Sequence, residues 1–250
     1  MRCTAMKKIT ITALFVIFAH SGFVANSRAQ TVSREDLLNE IKAKRSELQA
    51  LERQFLAPSE EDRAEWTEFL KESHTGLVRL LPRELYDSEV YKKNQRTLTM
   101  RGGGAYYSFS RLTHEYGYGS DIELDSGYLS VGFAGADFGM LRKLGDVPLE
   151  ALSLEDPRAK FMAEYHTPTE EPQARSEARM FSAGATIGDT IYKRRLPVEV
   201  KTTYLLRSIN YGSSDVLVAL RVIRKDSDGS VIIAWKLLSS YPKPELARSN

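Results

Sequence analysis

Cysteine is nearly missing from this sequence: one residue in 250, and it stands at position 3. A single thiol excludes an intramolecular disulfide framework and a multi-thiolate zinc site. Cys3 also precedes the first apolar run, which rules it out as a lipid-attachment cysteine and, once that run is removed, as a nucleophile.

Histidine is scarce too, with four residues, none paired at helical spacing and none in an HExxH pattern. No metal centre or other cofactor is therefore expected. A basic surplus is equally lacking. The first 29 residues hold four of the 35 Lys and Arg and none of the 33 Asp and Glu, so the remainder is slightly acidic. Nucleic acid would need a concentrated basic stripe, and Lys193-Arg194-Arg195 is too short to be one.

Catalytic signatures are absent as well. There is no G-x-S-x-G elbow, and Ser108, Ser110 and Ser130 fall in strand-like stretches. Gly102-Gly103-Gly104 lacks the following helix and lysine of a phosphate loop. Asp226-Ser227-Asp228-Gly229 lacks the third ligand and closing glutamate of a calcium loop and reads as a hairpin turn.

What is present begins with an export pattern. Lys7-Lys8 precedes the apolar run Ile9 to Ala19, and Ser27-Arg28-Ala29 places small residues at −3 and −1 of a cleavage site. Residues 1–29 are thus expected to be a signal peptide. Its removal would leave a chain that begins at Gln30 in the periplasm or outside the cell. A membrane span needs about 20 apolar residues, and His20, Ser21, Asn26 and Ser27 interrupt this run before that length.

Residues 30–73 read as a helical hairpin. Ser33 can cap a helix that runs to Phe55, with Glu35 and Asp36 where the helix dipole favours acids. A seven-residue register sets Arg34, Ile41, Leu48 and Phe55 at one position and Leu37, Lys44 and Leu51 at the other, about three heptads of a short coiled coil that Arg34 and Lys44 weaken. A homodimer through helix 33–56, or packing of that helix on its own domain, follows. Ala57-Pro58 ends it, and Ser59 caps a second helix, 60–73, that presents Trp66, Phe69 and Leu70.

Residues 74–241 read as an antiparallel β-rich domain. Leu85, Tyr86, Val90 and Tyr91 are expected to cover a sheet edge. Strands are expected near 97–101, 105–112, 120–125 and 128–134, the last two joined at Asp125-Ser126-Gly127. A short helix over 157–165, a loop insertion near 166–180 and a helix over 171–181 follow. Val198–Ile209, Val216–Arg224 and Val231–Leu238 form a meander. Its middle strand is apolar on both faces and so is expected to be central and covered twice, with the N-terminal helices as cover. Residues 242–250 read as a flexible tail. The fold class is α+β: an N-terminal helical hairpin packed on a meander-rich antiparallel sheet, as an open barrel or half-sandwich.

The block 98–145 concentrates the functional hints. Ten of the 16 glycines lie between Gly102 and Gly145, interleaved with eight aromatics. Tyr106, Tyr107, His114, Tyr116, Tyr118 and Asp121 are the candidate ligand-binding residues, since aromatics flanked by glycine can present flat faces to a glycan or peptide. Tyr106 and Tyr107 must point to opposite faces of a strand. The function expected is therefore an exported binding or structural protein acting through a Gly/Tyr-rich surface. The rival is a hydrolase with His114, Glu115 and Asp121 as acid–base groups, Arg111 nearby. An outer-membrane-associated β protein is a third reading, weakened by the charged helix ahead of the strands.

Overall fold

The doubly apolar run from Val216 becomes the middle strand of a five-stranded antiparallel sheet. Val216, Val218, Leu220 and Val222 face one layer, while Leu217 and Ala219 face the other. Only a strand covered on both sides can hide such a run, at about 1.5–3 kcal/mol for each large apolar side chain buried. The computed structural model describes residues 33–87, 98, 100–117 and 119–247. The expected export segment and residues 97 and 99 of the strand expected near 97–101 lie outside these residues, and Leu98, Met100 and Arg101 are not in a strand.

With strands numbered in chain order, the sheet runs β1 (Thr75–Leu80), β11 (Val231–Tyr241), β10 (Ser214–Lys225), β9 (Thr202–Asn210), β5 (Phe138–Gly145). Strands β9 to β11 form the expected meander, and Asp226–Gly229 makes its second turn. Thr75–Leu80, for which no strand was expected, is the edge strand, and Val90 and Tyr91 lie outside the described residues. Gly76 is required there, because a Cβ would sit 2.6 Å from the Trp235 ring.

A second sheet of short strands, in the order β2 (Tyr106–Tyr107), β3 (Ile122–Asp125), β4 (Tyr128–Ser130), β8 (Arg195–Pro197), packs on the first. Ile122, Leu124, Leu129 and Val131 meet Val218, Leu220, Ile233 and Trp235 in one core. The architecture is the half-sandwich alternative. Among the described residues it is open, not a closed barrel. Asp125-Ser126-Gly127 makes the expected two-residue turn, with φ of +51° at Ser126 and +77° at Gly127. Both values positive is the twist that suits a tight hairpin.

The outer face of the large sheet is covered mainly from residues 149–192. These contribute α4 (Lys160–Ala163), α5 (Glu171–Ala183) and the hairpin β6 (Ala185–Ile187)–β7 (Thr190–Tyr192). Met162, Phe181 and Tyr192 meet Phe138, Met140, Leu205 and Leu217 there.

The N-terminal region contributes less of this cover than expected. Helix α1 (Arg34–Phe55) forms, but Leu37, Leu38, Ile41, Leu48, Leu51 and Phe55 stay 39–57% exposed. A division at Arg45/Ser46 separates the start of α1 from the unit that holds both sheets. The second helix, α2 (Glu60–Glu65), is held by a Ser59–Asp62 capping box and stops well before residue 73. Beyond it Trp66, Phe69 and Leu70 do pack on the large sheet's outer core. One further turn of helix, α3 (Arg83–Tyr86), leads toward the second sheet.

Two backbone hydrogen bonds reach into residues 242–247, part of the expected tail. The Gly212 N–H donates to Pro244 O at 2.8 Å and the Ala247 N–H to Thr169 O at 2.7 Å. Among the described residues no helix is long and apolar enough to cross a membrane.

Candidate functional site

Three consecutive glycines set up the site. Gly102, Gly103 and Gly104 have φ of +83°, +60° and +77°, a run that residues with a Cβ rarely adopt. A Cβ at Gly102 would lie 2.5 Å from the Tyr106 ring, so the turn folds directly beneath that ring. The chain leaves the turn into β2, and strand alternation sends its two tyrosines apart.

Tyr107 goes inward, 5.3 Å from the Phe109 ring and 6.4 Å from that of Trp235. Tyr106 goes to the other face. The β2–β3 register sets it opposite Glu123, and its hydroxyl donates to Glu123 Oε1 at 2.5 Å. Burial, reinforced by that carboxylate, pushes the Tyr106 phenol well above its usual range. Arg83 Nη1 donates to the same oxygen at 2.8 Å, and Arg83 also reaches Asp87.

Tyr116 and Phe133 complete the cluster, their rings 4.7 and 5.1 Å from that of Tyr106. Arg101 lies over the Tyr116 ring at 4.6 Å from its centroid, within cation–π range. Beside this cluster opens a cavity of about 260 Å³, lined by Arg83, Asp87, Arg101, Gly102, Tyr106, Tyr116, Glu123, Phe133 and Arg194. A neighbouring cavity of about 240 Å³ shares Arg101, Tyr116 and Phe133 with it and extends to Gly117, Gly119 and Asp137. A third, of about 230 Å³, shares Phe133 and Arg194. The result is one groove of modest depth running past the Tyr116–Phe133 pair.

Two of the six candidate residues, Tyr106 and Tyr116, line this groove; three others do not, and Tyr118 lies outside the described residues. Tyr107 is core. His114 turns its Nε2 to Arg79 O at 2.8 Å and its ring edge to Tyr107, and burial pushes its pKa down to about 4. Asp121 is fully buried between the sheets. It accepts from the Phe109 N–H at 2.8 Å and from Asn210 Nδ2 at 2.9 Å, and burial raises its pKa to about 6. Glu115 and Arg111 are exposed.

The acid–base trio His114, Glu115 and Asp121 is therefore not gathered into one cleft. None of the three lines the groove, and each points to a different environment. The stacking faces expected of Tyr106 and Tyr116 are also not open, because these rings pack on each other and under Arg101. What the tyrosines offer is a rigid support for charged neighbours. Among the described residues no group of three His, Cys, Asp or Glu side chains is placed to hold a metal ion.

Arg83, Arg101, Glu123 and Arg194 are site residues that the aromatic pattern passed over, and Phe133 belongs to that pattern without having been a candidate. Arg101 had a signal, since it directly precedes the glycine turn. Arg83 and Arg194 are brought in only by the topology. Comparison of the chain with protein-family models, with curated proteins and with solved structures returns no match.

Proposed function

We propose that the protein is an exported binding protein that takes a small polar ligand, a glycan or peptide fragment, in the groove beside Tyr116. The observation that carries this reading is the pre-ordered cluster Arg101–Tyr116–Tyr106–Glu123–Arg83, facing empty space at the open end of the small sheet. Polar groups already fixed in place bind without the full ordering cost, and loops on a rigid sheet are where such groups are usually mounted. Export rests on the n-region, apolar run and small-residue cleavage pattern at the N-terminus. The heptad register of α1, with its apolar stripe left exposed, supports a parallel pairing with a second copy.

Titration of isotope-labelled protein with glycan fragments and short peptides, followed by NMR, tests the groove. A bound ligand is expected to shift the amides of Gly102, Tyr116, Gly117 and Gly119 together. Shifts confined to other surfaces would discard the reading, as would no shift with any probe.

A further inference from the structure

Three arginines, Arg83, Arg101 and Arg194, line the cavity of about 260 Å³ against two carboxylates, Asp87 and Glu123, while Asp137, which lines the two neighbouring cavities, accepts from the Tyr211 N–H. Arg83 is neutralised by Glu123 and Asp87. Arg101 and Arg194 are not: among the described residues neither has a carboxylate within ion-pairing reach. Among the described residues the Arg101 guanidinium is held by the Tyr116 ring. Arg194 directs Nε to Val131 O at 2.9 Å and one terminal nitrogen to Gly132 O at 2.7 Å, so two neutral carbonyls fix its plane while its charge stays uncompensated.

Resting on the binding reading above, we propose that the groove recognises an oxyanion, a carboxylate or phosphate carried on a unit about one sugar ring in size, with Arg101 as its principal partner. A guanidinium presents paired N–H donors in a fork that matches two oxygens of such a group. Stacking on Tyr116 fixes the plane of that fork before the ligand arrives, which reduces the ordering cost of binding. Arg194 lines the same cavity and supplies the second positive charge. Glu123 and Asp87 do not oppose the ligand's charge, because Arg83 already holds both. The size limit applies to the part of the ligand held between Arg101 and Arg194, whose cavity at about 260 Å³ falls just below the usual range of ligand pockets, about 300–1,000 Å³; a longer molecule would extend into the neighbouring cavities. A dinucleotide or a long glycan does not fit inside that one cavity. The aromatic edges of Tyr106 and Phe133 then border the ligand's ring.

Calorimetry on the full chain with galacturonate, inorganic phosphate and neutral galactose tests this. Galacturonate or phosphate is expected to bind at low ionic strength and more weakly as salt is added, with galactose much weaker. Binding of galacturonate alone assigns a carboxylate, and binding of phosphate alone assigns a phosphate. Arg101→Gln is expected to weaken the anion roughly tenfold to a hundredfold, the range for a lost hydrogen bond to a charged group. Arg101→Lys keeps the charge but not the fork and should fall between. Galactose binding as well as galacturonate, no binding by either anion, or full affinity in Arg101→Gln would each overturn the oxyanion inference. If neutral fragments still shift the Tyr116 and Gly117 amides, only this inference fails. If no probe shifts them, the groove is not a binding site at all.

Discussion

Arg207 and Asp215 face each other diagonally across β9 and β10 as a two-pronged pair. Arg207 Nε donates to Asp215 Oδ1 at 2.5 Å and Nη2 to Oδ2 at 2.9 Å, while Nη1 donates to Met162 O at 2.6 Å. Arg207 is 1% exposed and its guanidinium lies 3.4 Å from the Tyr241 ring centroid. Thr167 donates to Asp215 from the overlying segment. One ion pair thus ties β9, β10, β11 and the covering segment together.

Breaking one side of this pair strands a buried charge. Arg207→Ala is expected to cost about 3–5 kcal/mol, the range for removing one partner of a buried pair. The double change Arg207→Leu with Asp215→Leu should cost clearly less, since no charge is left behind. Urea unfolding of the three proteins measures both. A single-variant cost under about 1 kcal/mol would show the pair to be open to water.

Two titrating groups, the buried Asp121 and the half-buried His114, act in opposite directions over one pH window. Asp121 is raised from 3.8 to about 6 by burial, so the fold favours its neutral form, and its contribution falls as pH rises from about 4 to about 6. His114 is lowered from 6.5 to about 4 by burial. The fold therefore favours its neutral form, and that contribution is lost as pH falls through the same window. Each is worth at most about 1.4 kcal/mol per pH unit. The two slopes are expected to cancel between about pH 4 and 6 in the native protein. Asp121→Asn should uncover a loss of stability on acidification, and His114→Gln a gain. Denaturant midpoints at a series of pH values decide it, and identical profiles for all three proteins would refute the assignment.

Legibility in the sequence followed local signals. The meander was readable because Val216–Ile223 is apolar on both faces and Asp226–Gly229 is a turn. The hairpin at Ser126-Gly127 was equally plain. The strand expected over 105–112 shrank to Tyr106–Tyr107, since the chain turns instead over residues 109–112. The Asp121 side chain accepts the Phe109 N–H there, and Leu112 adopts φ of +54°, for which a leucine gives no warning. Strand β5 went unread: Gly139 sits in it because Arg207 O passes 2.3 Å from where a Cβ would be, a contact set by the partner strand. Half of the groove was legible as Tyr106, Tyr116 and the glycine run. Arg83 and Arg194 were not, because only the completed second sheet brings residues so distant in sequence to one cavity.

Export has a direct readout. Mass spectrometry of protein recovered from the cell envelope or medium is expected to give a chain starting at or near Gln30. Recovery of intact precursor alone, from the cytoplasm, would remove the case for a signal peptide.

The apolar stripe of α1 allows a test of self-association. Leu37, Ile41, Leu48, Leu51 and Phe55 share one face at heptad spacing and remain exposed in the single chain. In a parallel pair, Glu40 of one helix would sit across from Arg45 of the other, an attraction absent when the helices run in opposite directions. Glu47 would face Glu52 in the same arrangement, a like-charge contact that opposes the pairing at that level. Changing Leu48 and Leu51 to Asp is expected to convert a dimer to a monomer in sedimentation. The midpoint of sheet unfolding, read in the concentration range where both proteins are monomers, should shift by no more than about 0.5 kcal/mol per site, as for exposed positions. Restoring opposite charges by exchanging Glu40→Lys with Arg45→Glu should keep the dimer, whereas Glu40→Lys alone should weaken it. A native chain that sediments as a monomer at all concentrations would refute the pairing. A loss of several kcal/mol in the leucine variant would instead mean that the stripe packs on its own chain.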